Sequence, residues 1–443
     1  MLWQPSLDPY YTTLPAEEAA RLIAQRRAQL GESLVILGHH YQADEVVQHA
    51  DYTGDSLKLS QLAAEVARSG KVRFVVFCGV HFMAETADML TPDSVEVILP
   101  DLSAGCSMAD MADYDDTVEA WDRLHEGLRA QGWHGRIIPI TYVNSTAAIK
   151  AFVGDHGGAC CTSSNADAVF AWAMQGGTAP SPGLQSGVDA AGDTDANLPT
   201  EVGGSENLDT TDEIKILFLP DQHLGRNTAA KYGLETETQT CLYDPKRAQQ
   251  GEPLGGATPE ELLASKVILW AGHCSVHKLF RPEHCEQIRA DNRTRQAAGE
   301  EPTRIIVHPE CEKAVVDLAD DSGSTEYILK TIRASAPGSR WAVGTEVHLV
   351  NRLAAEMAAQ GVSVRMLSEC QCLCTTMYRI DQPHMLWVLD TLCGLRVKGG
   401  TPEQAEPKAV NVIRVHAEVR ELALKSLDRM LSLSGPGVST PAG

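Results

Sequence analysis

Short, largely apolar runs recur along this chain, and each gives way to a polar loop and then to a segment with helical periodicity. Leu34–Leu37, Val72–Phe77, Ile137–Ile140, Ile214–Leu219 and Ile305–Val307 are the clearest. A strand covered on both faces reads as a continuous apolar run, and parallel neighbours need a crossover helix between them. The pattern therefore predicts an α/β protein built from parallel βαβ units. It also predicts where chemistry lies, because open α/β sheets place their ligand crevice outside the carboxyl ends of the strands. The residues at those ends are polar: Gly38-His39-His40-Tyr41, Thr141-Tyr142-Val143-Asn144, Pro220-Asp221-Gln222-His223 and His308-Pro309-Glu310-Cys311.

Three further runs, Val95–Pro100, Val267–Trp270 and Val362–Leu367, each lead to a cysteine: Cys106, Cys274 and Cys374. If the strand ends converge, three thiolates meet at one point, one short of closing a tetrahedral or cubane site. The open position could bind and activate a substrate. The spacing reads as three similar α/β domains around a shared centre, each supplying one cysteine. Cys78, Cys241, Cys285, Cys311 and Cys393 are expected to be small buried hydrophobes. Adjacent Cys160 and Cys161 make a poor chelate, since neighbouring strand side chains face opposite ways. Cys370-Gln371-Cys372-Leu373-Cys374 admits a zinc reading, but a second Cys-x2–4-Cys knuckle is missing.

A chain of 443 residues is too long for one core. The expected division is residues 14–108, joined by C-terminal helices 380–433; residues 109–276; and residues 277–379. Gln175–Thr211, rich in Gly, Ser, Pro, Asp and Thr, reads as a flexible insertion in the second domain. Beyond about Pro402 both Val410–Val415 and Ala417–Leu433 read as helical, and Ser434–Gly443 as disordered. The balance of 37 Lys+Arg against 59 Asp+Glu, a net charge of −22, argues against nucleic acid or an anionic membrane as partner. No secretory signal or membrane span is expected, and 12 cysteines in a cytoplasmic protein stay mostly reduced.

Other candidate groups cluster at the strand ends. His39, His277 and His308 suit carboxylate or phosphate binding or acid–base work. Glu310 is the best general-base candidate, carried on a loop stiffened by Pro309. Asp55-Ser56, Tyr142-Val143-Asn144, Thr162-Ser163-Ser164-Asn165 and Ser324-Thr325 fall at strand-to-helix junctions, where helix capping and anion binding are both served. No Gly-x-Gly-x-x-Gly or P-loop stands in the right context, so no nicotinamide, flavin or nucleoside triphosphate is expected.

Taken in order, Gly38-His39-His40-Tyr41-Gln42, Gly54-Asp55-Ser56-Leu57, Ala104–Asp110, Tyr142–Ser145, Thr162–Asn165, Leu219–Gly225, Cys274 with His277, His308–Cys311, Gly323-Ser324-Thr325 and Cys374–Met377 resemble the quinolinate synthase family of iron–sulfur enzymes. The resemblance covers roughly Leu34 to Ile380. It implies three similar Rossmann-like αβα domains with parallel sheets about a pseudo-threefold centre. It implies a transferase that condenses iminosuccinate with dihydroxyacetone phosphate to quinolinate, releasing phosphate and water, in de novo NAD biosynthesis. The ligands of an open-site [4Fe-4S] cluster would be Cys106, Cys274 and Cys374. Substrate contacts would come from His39, Ser56, Tyr142, Asn144, Ser163, His308, Glu310 and Thr325, with Tyr41 and His277 lining the same cavity and Glu310 as acid–base group. Functional coupling to an L-aspartate oxidase would fit an unstable imine substrate. The rival readings are a zinc or mononuclear-metal hydrolase and an iron–sulfur redox sensor.

Overall fold

The structure is a computed structural model that describes residues 3–177, 213–369 and 372–434. Three sheets carry it. The first is built from β1 (Leu34–His39), β2 (Tyr52–Gly54), β3 (Phe74–Cys78) and β4 (Glu96–Ile98), paired in parallel in the order β2-β1-β3-β4. The second contains β5 (Arg136–Tyr142), β6 (Ala159–Cys161), β7 (Ile214–Leu219), β8 (Thr240–Tyr243) and β9 (Val267–Trp270), all parallel in the order β6-β5-β7-β9-β8. The third holds β10 (Thr303–Val307), β11 (Asp321–Ser322), β12 (Arg340–Gly344) and β13 (Ser363–Met366), parallel in the order β11-β10-β12-β13.

One order recurs: the second strand flanks the first on one side, and the third flanks it on the other. In each sheet the strand beyond the third, β4, β9 or β13, leads to the cysteine singled out by sequence. The central strands are covered on both faces, and Ile36, Val76, Ile216, Leu269, Ile306 and Val343 are wholly buried. That double covering is why their runs are continuous rather than alternating.

The helices cover these faces by simple periodicity. In Ser56–Ala67 the buried residues Ser56, Leu59, Ser60, Ala63 and Ala67 fall at helical spacing, and Asp55 caps the first turn through Lys58 N at 2.9 Å. The Ala147–Asp155 helix packs against the C-terminal helix Ala417–Ser432 at a close approach centred on Gly154. A Cβ on Gly154 would lie 2.0 Å from the Leu422 carbonyl oxygen. Gly154→Ala should therefore force the helices apart and lower stability by about 1–3 kcal/mol or more, read as a fall in thermal midpoint.

One expectation about the C-terminal region is corrected. Val410–Val415 is not helical: β14 (Leu395–Lys398) and β15 (Thr401–Gln404) form an antiparallel hairpin, and β16 (Val412–Ile413) then pairs antiparallel with β4. The sheets are thus not purely parallel. The apolar positions of this segment fit a helix stripe, but β4 presents an unpaired edge, and Leu99 N donates to Asn411 O at 3.2 Å. Arg414 then reaches Asp88 at 2.9 Å and the Val95 carbonyl at 2.9 Å, pinning the strand. The Ala417–Ser432 helix is as expected. The Gln175–Thr211 insertion, apart from its first three residues, and the tail from residue 435 lie outside the described residues. Among the described residues no helix is long and apolar enough to cross a membrane.

Candidate active site

The carboxyl ends of the three sheets face one shared cavity. The first sheet's loops and helices contribute His39, Tyr41, Ser56 and Cys106 to its wall. The second contributes Tyr142, Asn144, Ser163 and Cys274, with His277 just beyond; the third contributes His308, Glu310, Thr325 and Cys374. Every site residue expected from sequence lies on this wall. Ser56 and Thr325 open the Ser56–Ala67 and Thr325–Arg333 helices, so their N-termini face the cavity as well. Asp55 and Ser324, one residue earlier, are the caps.

The three cysteines share a local structure that sequence reading did not anticipate. Each begins a tight turn: Asp110 N donates to Cys106 O at 3.0 Å, Lys278 N to Cys274 O at 3.2 Å, and Tyr378 N to Cys374 O at 3.0 Å. A short 3-10 segment follows each, at Ala109–Met111, His277–Leu279 and Met377–Arg379. The geometry turns backbone N–H groups onto the sulfur, those of Ala109 and Met108 onto Cys106, of His277 onto Cys274, and of Met377 and Thr376 onto Cys374. A signal existed: each of the three is followed by a hydroxyl residue, Ser107, Ser275 or Thr375.

The remaining cysteines behave differently. Cys285, Cys311 and Cys372 are buried in the third sheet's core. Cys160 packs toward the C-terminal helix and Cys161 into the opposite core, as neighbours on a strand must. Cys370 lies outside the described residues.

Glu310 is buried, not a solvent-exposed loop residue. His277 Nδ1 stands 2.9 Å from its Oε2, and His308 Nδ1 3.7 Å from its Oε1. The two imidazoles stack at 4.5 Å with planes 16° apart. Burial works to raise the Glu310 carboxyl, but the two imidazoles and hydrogen bonds from His277 and Tyr142 outweigh it and hold it at about 2. Burial pushes His308 down to about 3 against the pull of Glu310, and His39 down to about 3 with His40 and Arg352 adding to the effect. Burial lifts the Tyr41 and Tyr142 phenols well above their usual value. At neutral pH the wall therefore carries the Glu310 carboxylate, the neutral imidazoles of His39 and His308 and the intact phenols of Tyr41 and Tyr142. That set can donate to and accept from small oxygen-rich anions.

Comparison with known sequences shows the family. The model of the family described as quinolinate synthetase A protein matches residues 22–179 and 204–432. A quinolinate synthase of Acidobacterium capsulatum is 44% identical over 97% of this chain and 96% of its own length. Those of a Nocardioides species and of Streptomyces coelicolor are 45% and 42% identical, each over 95% of this chain and 91% and 90% of their own lengths. The chain belongs to the quinolinate synthetase A family.

For a quinolinate synthetase A chain, several residues outside the expected set earn a place in the site. Thr345, at the end of β12, accepts or donates at 2.9 Å to the Tyr41 hydroxyl and lies 3.3 Å from His277 Nε2, so it ties the first sheet's loop to the Cys274 turn. Its position right after a strand, in Gly344-Thr345-Glu346, was the signal available. Asp221 holds the Cys274 loop in place: it bridges to Gly272, and Gln222 N donates to Gly272 O at 3.0 Å. A Cβ on Gly272 would lie 2.1 Å from the Pro220 carbonyl, so only glycine permits this approach.

The depressed imidazoles also set a pH dependence. His39 and His308 bind protons in the unfolded chain near pH 6.5 but in the folded one only near pH 3. Where the unfolded state holds more protons, stability rises with pH. The folded state should lose stability progressively as pH falls from about 6.5 towards 3. Thermal midpoints measured at pH 7.5, 6 and 5 should decrease in that order, and a flat profile would contradict the buried neutral imidazoles.

Proposed function

We propose that this chain is a transferase that condenses iminosuccinate with dihydroxyacetone phosphate to give quinolinate, phosphate and two waters, with a [4Fe-4S] cluster held by Cys106, Cys274 and Cys374. The observation that carries the reading is the meeting of three like cysteine turns, one from each sheet, in the cavity that also holds the Glu310–His277 pair. The donor set suits such a cluster. Three thiols with N–H groups turned on their sulfurs match cysteine ligation tuned by hydrogen bonding, and Cys106, Cys274 and Cys374 would leave one iron open to substrate. When bound, the cluster supplies a Lewis acid for loss of water.

The protein's own groups do the rest. His39, Ser56, Tyr142, Asn144, Ser163, His308 and Thr325 orient iminosuccinate. Asn144 Oδ1 is buried with no protein partner among the described residues, a free acceptor for the substrate nitrogen. Helix N-termini at Ser56 and Thr325 favour the substrates' negative charge. Glu310, paired with His277, takes a proton from carbon beside the imine and returns it to a departing oxygen, and Tyr142 steadies its carboxylate. The reaction needs no net oxidant. We read the chain as domains 14–108 with 380–433, 109–276 and 277–379, one sheet to each, around a pseudo-threefold centre. Work in the cytoplasm, with iminosuccinate supplied by an L-aspartate oxidase, fits an imine that water destroys.

A mononuclear ion is the second reading, since ligand atoms of Cys274, His277 and Glu310 lie within 4.8 Å of one another. His277 Nδ1 and Glu310 are, however, already committed to each other at 2.9 Å. Iron, sulfide and zinc per chain after anaerobic purification separate the two. About four irons and four sulfides with quinolinate formed from both substrates supports the cluster; zinc without sulfide overturns it.

A further inference from the structure

Asn227 lies on the Gln222–Lys231 helix, which belongs to the second sheet, yet its side chain reaches the third. Its Nδ2 donates at 2.8 Å to the Pro309 carbonyl and at 2.8 Å to the Cys311 carbonyl. Both amide hydrogens are thus spent on the two residues that flank Glu310. The residue is 91% buried by its 9% exposure, so these bonds are not in competition with bulk water. The loop it grips has little freedom left: Cys311 N donates to His308 O at 3.0 Å, and Glu310 N to His308 Nδ1 at 3.3 Å.

The other end of the same helix begins at Asp221, whose Oδ1 caps it through His223 N at 2.7 Å and Leu224 N at 2.8 Å. Asp221 is also the residue bridged to Gly272, just before Cys274. One rigid helix therefore connects the Cys274 turn to the Glu310 loop across two sheets. We propose that Asn227 is a positioning residue that fixes the Glu310 carboxylate relative to His277 and the substrate. It rests on the reading of Glu310 as the acid–base group. A bland alternative, a buried amide that merely stabilises the fold, makes a different prediction, because its loss would act regardless of what stands at position 310.

The test is a double-mutant cycle with Asn227→Leu and Glu310→Gln, product being counted by mass spectrometry so that residual rates are readable. A displacement of about 1 Å at a catalytic group can cost about 100-fold. Asn227→Leu is expected to lower kcat about 10–100-fold, with KM for either substrate within about threefold and iron and sulfide per chain unchanged. In the Glu310→Gln background it should change kcat less than about twofold, the non-additivity of two residues acting through one. Folded Asn227→Leu with kcat within about twofold of wild type would overturn the proposal, as would losses that multiply in the double variant. If the leucine variant does not fold, Asn227→Ser, with one donor for two carbonyls, enters the same cycle under the same criteria. Wild-type kcat in Glu310→Gln alone would overturn the acid–base reading and the proposal together, whereas an inactive Glu310→Gln with multiplying losses overturns the role of Asn227 only.

Discussion

If Cys106, Cys274 and Cys374 hold an iron–sulfur cluster as proposed, Cys374→Ala should lose it and with it quinolinate formation, while Cys393→Ala, Cys370→Ala and Cys372→Ala should keep both. Cys374 lines the cavity and opens the same turn as Cys106 and Cys274, whereas Cys372 is buried in the third sheet's core. Cys393 sits apart, its thiol donating to the Arg26 carbonyl at 3.8 Å. With two thiolates in place of three, a second iron would also lack a protein ligand, so the loss should be complete rather than graded. The assay is iron and acid-labile sulfide per chain with the visible absorption of the cluster. Retention in Cys374→Ala with loss in Cys372→Ala would reverse the assignment.

Thiol protonation adds a second reading of the same experiment. Burial pushes Cys106 up to about 12 and raises Cys274 and Cys374, and the three thiolates repel one another. Iron must displace those protons, so binding releases them and strengthens as pH rises. Reconstitution of cluster-free protein should be more complete at pH 8 than at pH 6.5. The imidazole effect on fold stability runs in the same direction, so the comparison is made below the melting temperature at both pH values.

Glu310→Gln is the second large effect. The amide keeps the size of the side chain but can neither accept a proton nor balance His277 at 2.9 Å. General acid–base catalysis contributes about 10²–10⁴-fold, equivalent to about 3–5 kcal/mol of barrier. We expect kcat to fall by that factor with the cluster retained, because Glu310 is not among its ligands. Loss of iron in Glu310→Gln would instead favour the mononuclear site of Cys274, His277 and Glu310. A kcat within threefold of wild type would remove Glu310 from the chemistry.

Much of the candidate site is legible in the sequence. His39 and Glu310 stand just after apolar runs and the three cysteines a short loop beyond theirs, and chain connectivity in a parallel sheet puts such residues on one edge. Three features were not legible. The common turn after each cysteine depends on backbone hydrogen bonds, which leave only a weak trace in Ser107, Ser275 and Thr375. Thr345 and Asn227 act across sheets, and nothing local marks a side chain whose partner is far along the chain. The strand Val412–Ile413 was read as helix because a short apolar pattern fits either period, and only the open edge of β4 selects the extended form.

By itself the sequence determined the class of fold and the family. Those rest on the period of apolar residues and on ordered local motifs, both written in neighbouring residues. Tertiary structure alone decided which loops meet. It brought Cys106, Cys274 and Cys374 into one cavity, set His277 against Glu310, and laid the C-terminal helix on Ala147–Asp155 at Gly154. These are long-range contacts, fixed by how three sheets pack and how close two backbones can come, and no window of sequence contains both partners.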